Sequence, residues 1–190
     1  FIFYINMIRE KLARPLLIDN QSLTVGLKVG ISVYPQDSNS PADLVQMAQN
    51  ALRLDETEAG NSFCFYNADI DKRIKNSLLM ESGLRNAIAQ NELFLTYQPK
   101  LNMATAEIEG VEALIRWRHP EHGIMSPADF IPVAETSGLI LPLSEWVLDE
   151  ACRQTKLWHS QGHKITTAVN ISACHFNNGK LLEDVDKALK

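Results

Sequence analysis

Apolar and polar positions alternate from Ile108 to Trp117, with Val111, Ala113, Ile115 and Trp117 on one parity and Glu112, Leu114 and Arg116 on the other. A period of two predicts a strand with one buried face. Leu93 to Pro99 reads as a preceding strand, with a turn around Asn102 to Glu107, and Ile165 to Ile171 as a later one. Between them the period changes. Ser126 is placed to N-cap a short helix with Pro127 in its first turn. Leu143 to Ser160 repeats Trp146, Val147, Ala151, Gln154 and Trp158 at three-to-four spacing, and Lys180 to Leu189 begins another helix. Strands and helices that take turns predict a βα barrel or sheet.

The first third of the chain has its own pattern. Ile5, Ile8 and Leu12 predict a helix ended by Arg14-Pro15. The β-branched stretch from Ser22 to Tyr34 predicts extended structure, with a polar turn from Pro35 to Pro41. Leu44, Met47, Ala48, Ala51 and Leu52 predict an amphipathic helix from Asp43 to Leu54, before a short aromatic strand from Phe63 to Tyr66. Ala68 to Gln90 reads as a linker followed by a helix carrying Leu78, Leu79, Leu84 and Ile88.

A lone carboxylate in an apolar run costs several kcal/mol unless it is paired or bound to a cation. Glu112, read at a strand's end, is therefore a candidate metal ligand, and Arg116 on the same face a candidate phosphate clamp. The competing reading is an internal ion pair between these two. His119 with His122, and His159 with His163, sit where loops and helix ends are expected, so a zinc reading is weak. Trp117, Trp146 and Trp158 fit core packing. Cys174, His175 and Ser172 lack the acidic partner or the elbow of a nucleophilic triad.

A composition of 45% hydrophobic and 22% charged residues is ordinary for a globular chain. A net charge of -5, with no large cluster of Lys and Arg, argues against a surface for nucleic acid polymers. Cys64, Cys152 and Cys174 are dispersed and odd in number, which predicts small buried thiols in a reducing, cytoplasmic setting. No apolar run reaches the roughly 18 residues that cross a bilayer. The chain opens with Phe1 and reads as a piece of a longer polypeptide that could carry upstream membrane or sensor domains.

The motifs carry a resemblance. Tyr97-Gln98-Pro99, Glu112-Ala113-Leu114 with Arg116-Trp117, Ser126-Pro127-Ala128-Asp129-Phe130-Ile131-Pro132 and Val169-Asn170-Ile171-Ser172 are similar to the start of an EAL domain, a family that hydrolyses cyclic di-GMP. Val29 to Pro35, the helix with Ala51-Leu52, and Gly60-Asn61 resemble the C-terminal part of a GGDEF domain, the diguanylate cyclase fold. The acidic run from Asp55 to Glu58 stands where that family usually has a phosphate-binding lysine.

The resemblance implies an α/β chain. Residues 1–68 would be the end of a GGDEF α+β unit, 69–80 a linker helix region, and 81–190 the first strands and helices of a truncated TIM-like barrel. It implies that Glu112 and Asn170 bind the catalytic metals, Mg²⁺ or Mn²⁺, and that Gln98, Leu114, Arg116 and Pro132 contact cyclic di-GMP. The reaction implied for the parent is metal-dependent hydrolysis of cyclic di-GMP to linear pGpG, with a homodimer allowed. The general base and the other ligands would lie on later strands, so no catalytic set is complete here and the chain is expected to be an inactive fragment. The alternative is a non-catalytic cyclic di-GMP receptor or a protein-interaction module.

Overall fold

In a computed structural model the described residues are 2–12, 15–19, 21–23, 26–53 and 61–190. They fall into two units, residues 1–76 and 77–190. Arg14, the strand residues Thr24 and Val25, Leu54, the acidic run Asp55 to Glu58, and Gly60 lie outside the described residues.

The first unit starts with helix α1 (Ile2–Leu12) and an antiparallel pair, β1 (Leu16–Ile18) and β2 (Gln21–Leu23). Strand β3 (Leu27–Ile31), helix α2 (Pro41–Arg53) and strand β4 (Asn61–Phe65) come next, and β4 lies parallel to β3. Of the stretch expected to be extended from Ser22, the described residues give the end of β2 and all of β3, with Gly26 outside both. Gly30 lets α2 sit close on β3, since a Cβ there would lie 1.9 Å from the Ala48 carbonyl oxygen. Helix α3 (Ala68–Ala89) gives its first turns to this unit, where Asp71 accepts from Tyr66 Oη at 2.6 Å and from Asn50 Nδ2 at 2.9 Å. The bond to Asp71 is the main reason the Tyr66 phenol is pushed up to about 12.

The second unit holds the rest of α3 and a four-stranded sheet. Strands β5 (Leu93–Leu101) and β6 (Ile108–His119) are antiparallel, and β7 (Gly123–Met125) folds back on the end of β6. Helices α4 (Pro127–Ser137) and α5 (Ile140–Ser160) then lead to β8 (Thr166–Val169), which lies parallel to β6. Short helices α6 (Ala173–Asn177) and α7 (Leu181–Ala188) complete it. Ser126 does cap α4, in a reciprocal arrangement with Asp129.

The alternation in β6 has the expected cause. Val111, Ala113 and Trp117 are buried, and Trp117, completely covered, packs in a core with Leu84, Phe130 and Leu143. The Trp117 ring meets Phe130 edge-on at 5.8 Å, and its indole N–H donates to Glu92 at 3.0 Å. Tyr97 meets Trp158 edge-on at 4.7 Å. The cysteines differ from expectation: Cys64 and Cys152 are half-buried and Cys174 is exposed, all three as free thiols. No helix among the described residues is long and apolar enough to cross a membrane.

Candidate functional site

Glu112 lies within β6 rather than at its end. The end that matters is that of the parallel pairing with β8, whose last register pair is Ala113 with Val169. Gly110 makes this pairing close, because a Cβ there would stand 2.5 Å from Thr166 Oγ1 and 2.8 Å from its carbonyl oxygen. Glu112 is flanked in register by Gln98 on β5 and Ala168 on β8. Side chains alternate along a strand, so Gln98 and Lys100 share its face from one side, and Ala168 and Asn170 from the other.

The carboxylate is held from both sides. Asn170 Nδ2 donates to Glu112 Oε1 at 2.9 Å, and Lys100 Nζ lies 3.5 Å from Oε2. These contacts, the Asn170 bond first, hold the Glu112 carboxyl below the usual carboxylate range. The ion pair is therefore with Lys100 and not with Arg116. Arg116 is half-buried and donates to the Ile115 carbonyl at 2.7 Å, and it pairs with no carboxylate among the described residues. Its register partner is Phe94, whose ring lies 5.1 Å from the Arg118 guanidinium.

A cleft of ≈ 230 Å³ opens beside this row, lined by Leu114, Ile131, Glu135, Asn170 and Ser172 among others. Glu135 accepts from Ser172 Oγ at 2.7 Å. Thus Glu112, Asn170, Gln98 and Leu114 come together, with Arg116 further along the same strand. Pro132 does not join them: it is exposed, inside α4, and outside the cleft lining. Lys100 and Glu135 went unnoticed in the sequence, and Ser172, expected to lack an acidic partner, has one in Glu135. For Lys100 the signal was parity with Gln98, which becomes readable only once the register with β6 is known.

Glu112 and Asn170 are hard oxygen donors on neighbouring strands, which fits Mg²⁺ or Mn²⁺ in kind. The described residues contain no group of three or more His, Cys, Asp or Glu placed to hold a metal. The histidine pairs are engaged otherwise, with His119 Nδ1 accepting from two backbone amides and His159 Nε2 bonded to the Ile165 carbonyl.

The EAL domain family matches residues 81–190. The bifunctional diguanylate cyclase/cyclic di-GMP phosphodiesterase MucR of Pseudomonas aeruginosa is 36% identical over 181 residues, covering 95% of this chain and 26% of that protein. The oxygen sensor protein DosP of Escherichia coli is 37% identical over 183 residues, covering 96% and 23%. Among solved structures, the PaMucR phosphodiesterase in its c-di-GMP complex is similar with a TM-score of 0.57 at 46% identity, over 58% of this chain and 45% of that one. The FimX EAL domain of Xanthomonas citri, in complex with c-diGMP, gives 0.52 at 27% identity, over 65% and 46%.

The mixed α/β architecture resembles these domains, and the chain belongs to the EAL domain family. It spans about a quarter of the length of these curated relatives, 26% and 23%.

Proposed function

We propose that this chain carries the opening part of a cyclic di-GMP phosphodiesterase site, in a domain spanning 81–190. The observation that carries the proposal is the side-by-side placement of Glu112, on β6, and Asn170, just past the end of the parallel strand β8, 2.9 Å apart. Similarity to proteins named as cyclic di-GMP phosphodiesterases, and to EAL domains solved with that ligand, supports it.

In this reading Glu112 and Asn170 are ligands of Mg²⁺ or Mn²⁺, which when bound would lower the pKa of water and stabilise the leaving oxygen. Arg116 holds a phosphate oxygen through its planar fork, which suits a phosphodiester better than a point charge would. Gln98 and Leu114 offer a polar and an apolar contact on the same sheet face, and Pro132 would approach the dinucleotide from α4. Hydrolysis adds water across one 3′-5′ phosphodiester, giving linear pGpG. The two ligands are one part of such a site, and a complete barrel-like domain would add acidic ligands and a base from later strands.

We also read residues 1–68 as the end of a GGDEF domain, joined by a linker helix region at 69–80. The alignment to MucR over 95% of the chain and the parallel β3–α2–β4 arrangement support this. Assembly as a homodimer in the cytoplasm belongs to the same reading.

The test is chromatographic detection of pGpG after incubating the protein that carries this chain with cyclic di-GMP and Mg²⁺ or Mn²⁺. Hydrolysis that disappears in both Glu112→Gln and Asn170→Ala supports the proposal. Full hydrolysis in both variants refutes it, and binding without hydrolysis by the unaltered protein favours a receptor.

A further inference from the structure

Asn170 stands one residue beyond the last register pair of β8, on a strand that pairs only with β6 among the described residues. Asn170 lies past the last residue of this four-residue strand, outside its ladder. The turn that leaves β8 must therefore share in placing Asn170. Two residues on, the Ser172 hydroxyl caps α6 by accepting from the Cys174 amide at 3.2 Å, and donates its single proton to Glu135 Oε1 at 2.7 Å. A hydroxyl has one proton and two lone pairs. With the proton committed to Glu135, a lone pair is directed at Cys174, and the turn out of β8 is tied at both ends.

Glu135 is carried by a well-anchored element. On α4, Phe130 and Ala134 are completely buried, and the helix closes at Gly138 in the left-handed region, φ 76, with its N–H returned to the Glu135 carbonyl. Glu135, Ser172 and Asn170 line the same cleft beside Leu114.

We propose that Glu135 is a positioning residue that, through Ser172, fixes Asn170 in place beside Glu112. The inference deepens the metal-ligand reading above and rests on it for its consequence, though not for its geometry. Glu135 need not touch metal or substrate, because partners of this outer kind orient the ligand ahead of binding.

The experiment uses the full 190-residue chain labelled with ¹⁵N-asparagine, the Asn170 side-chain amide signal being assigned by its loss in Asn170→Ala. Glu135→Leu and Ser172→Ala should both shift and broaden that signal and weaken Mn²⁺ binding about fivefold to tenfold by electron paramagnetic resonance titration. Glu135→Gln keeps an acceptor oxygen for the hydroxyl and should restore both. If Glu135→Leu loses its fold by circular dichroism, Ser172→Ala, which leaves α4 untouched, decides the matter. An Asn170 signal unmoved in folded Glu135→Leu or in Ser172→Ala overturns the proposal, as does unchanged Mn²⁺ affinity in a chain whose Asn170→Ala variant loses it. A moved Asn170 signal in a chain with no Mn²⁺ affinity supports the positioning role and rejects the metal reading.

Discussion

Asn170 and Glu112, 58 residues apart in sequence, are joined by a hydrogen bond of 2.9 Å across the parallel strands β6 and β8. The bond is the largest single cause holding the carboxyl below the usual carboxylate range, and it is made beside the close strand approach that Gly110 permits.

The bond also gives a direction of pH dependence. Because the folded Glu112 carboxyl is held below its ordinary value, its stabilising contribution is present above the ordinary carboxylate pKa. That contribution fades as pH falls through the depressed folded value. In a carboxyl-carbon NMR titration, Asn170→Ala and Lys100→Met should each raise the Glu112 pKa, since the Asn170 bond is the largest single cause and Lys100 adds both a hydrogen bond and its charge. An unmoved Glu112 pKa in Asn170→Ala would show that its amide does not hold the carboxylate.

Lys100 lies 3.5 Å from Glu112 Oε2 and competes for the oxygen a divalent cation would use. The pair is partly exposed, so solvent screening keeps the effect modest. Lys100→Met is expected to tighten Mn²⁺ binding about threefold, with calorimetry as the check. Weaker binding in this variant would instead make Lys100 part of the ligand environment.

At Gly110 the packing leaves no room for a methyl group, because the carbonyl of Thr166 is backbone and cannot swing away. Gly110→Ala should cost about 1–3 kcal/mol by chemical denaturation. It should also speed hydrogen exchange in 166–169 more than in β5. Unchanged exchange in β8 would show that the strands pair more loosely than described.

Trp117 is fully buried against Phe130, beneath Gly83, with its N–H bonded to Glu92. Trp117→Ala should destabilise the chain by about 3–5 kcal/mol, and Trp117→Phe by less, with the loss of one hydrogen bond and part of the packing. Equal losses in the two variants would place the whole effect in the bond to Glu92.

Much of this architecture could be read from alternation. The strand from Ile108, the face shared by Glu112, Leu114 and Arg116, and the Ser126 cap all come from local patterns, because side-chain parity and capping chemistry act over a few residues. Strand β7 has three residues, too few for any period to show, and α6 has five. Helix α5 begins at Ile140, before the expected Leu143, since Pro142 in the first turn removes an amide that would be unpaired anyway. Pro132 sits within α4, where anchoring by Phe130 and Ala134 overrides the local penalty. Lys100 escaped notice because its bond to Glu112 depends on cross-strand register, and Glu135 because its partner Ser172 lies 37 residues away.

Calorimetric titration of cyclic di-GMP into the 190-residue chain, with Mg²⁺ and then with chelator, tests the central claim most directly. Binding is predicted to be strengthened by Mg²⁺, reduced about tenfold or more in Arg116→Ala, and not restored in Arg116→Lys. Binding that is indifferent both to Mg²⁺ and to the loss of Arg116 would contradict the claim.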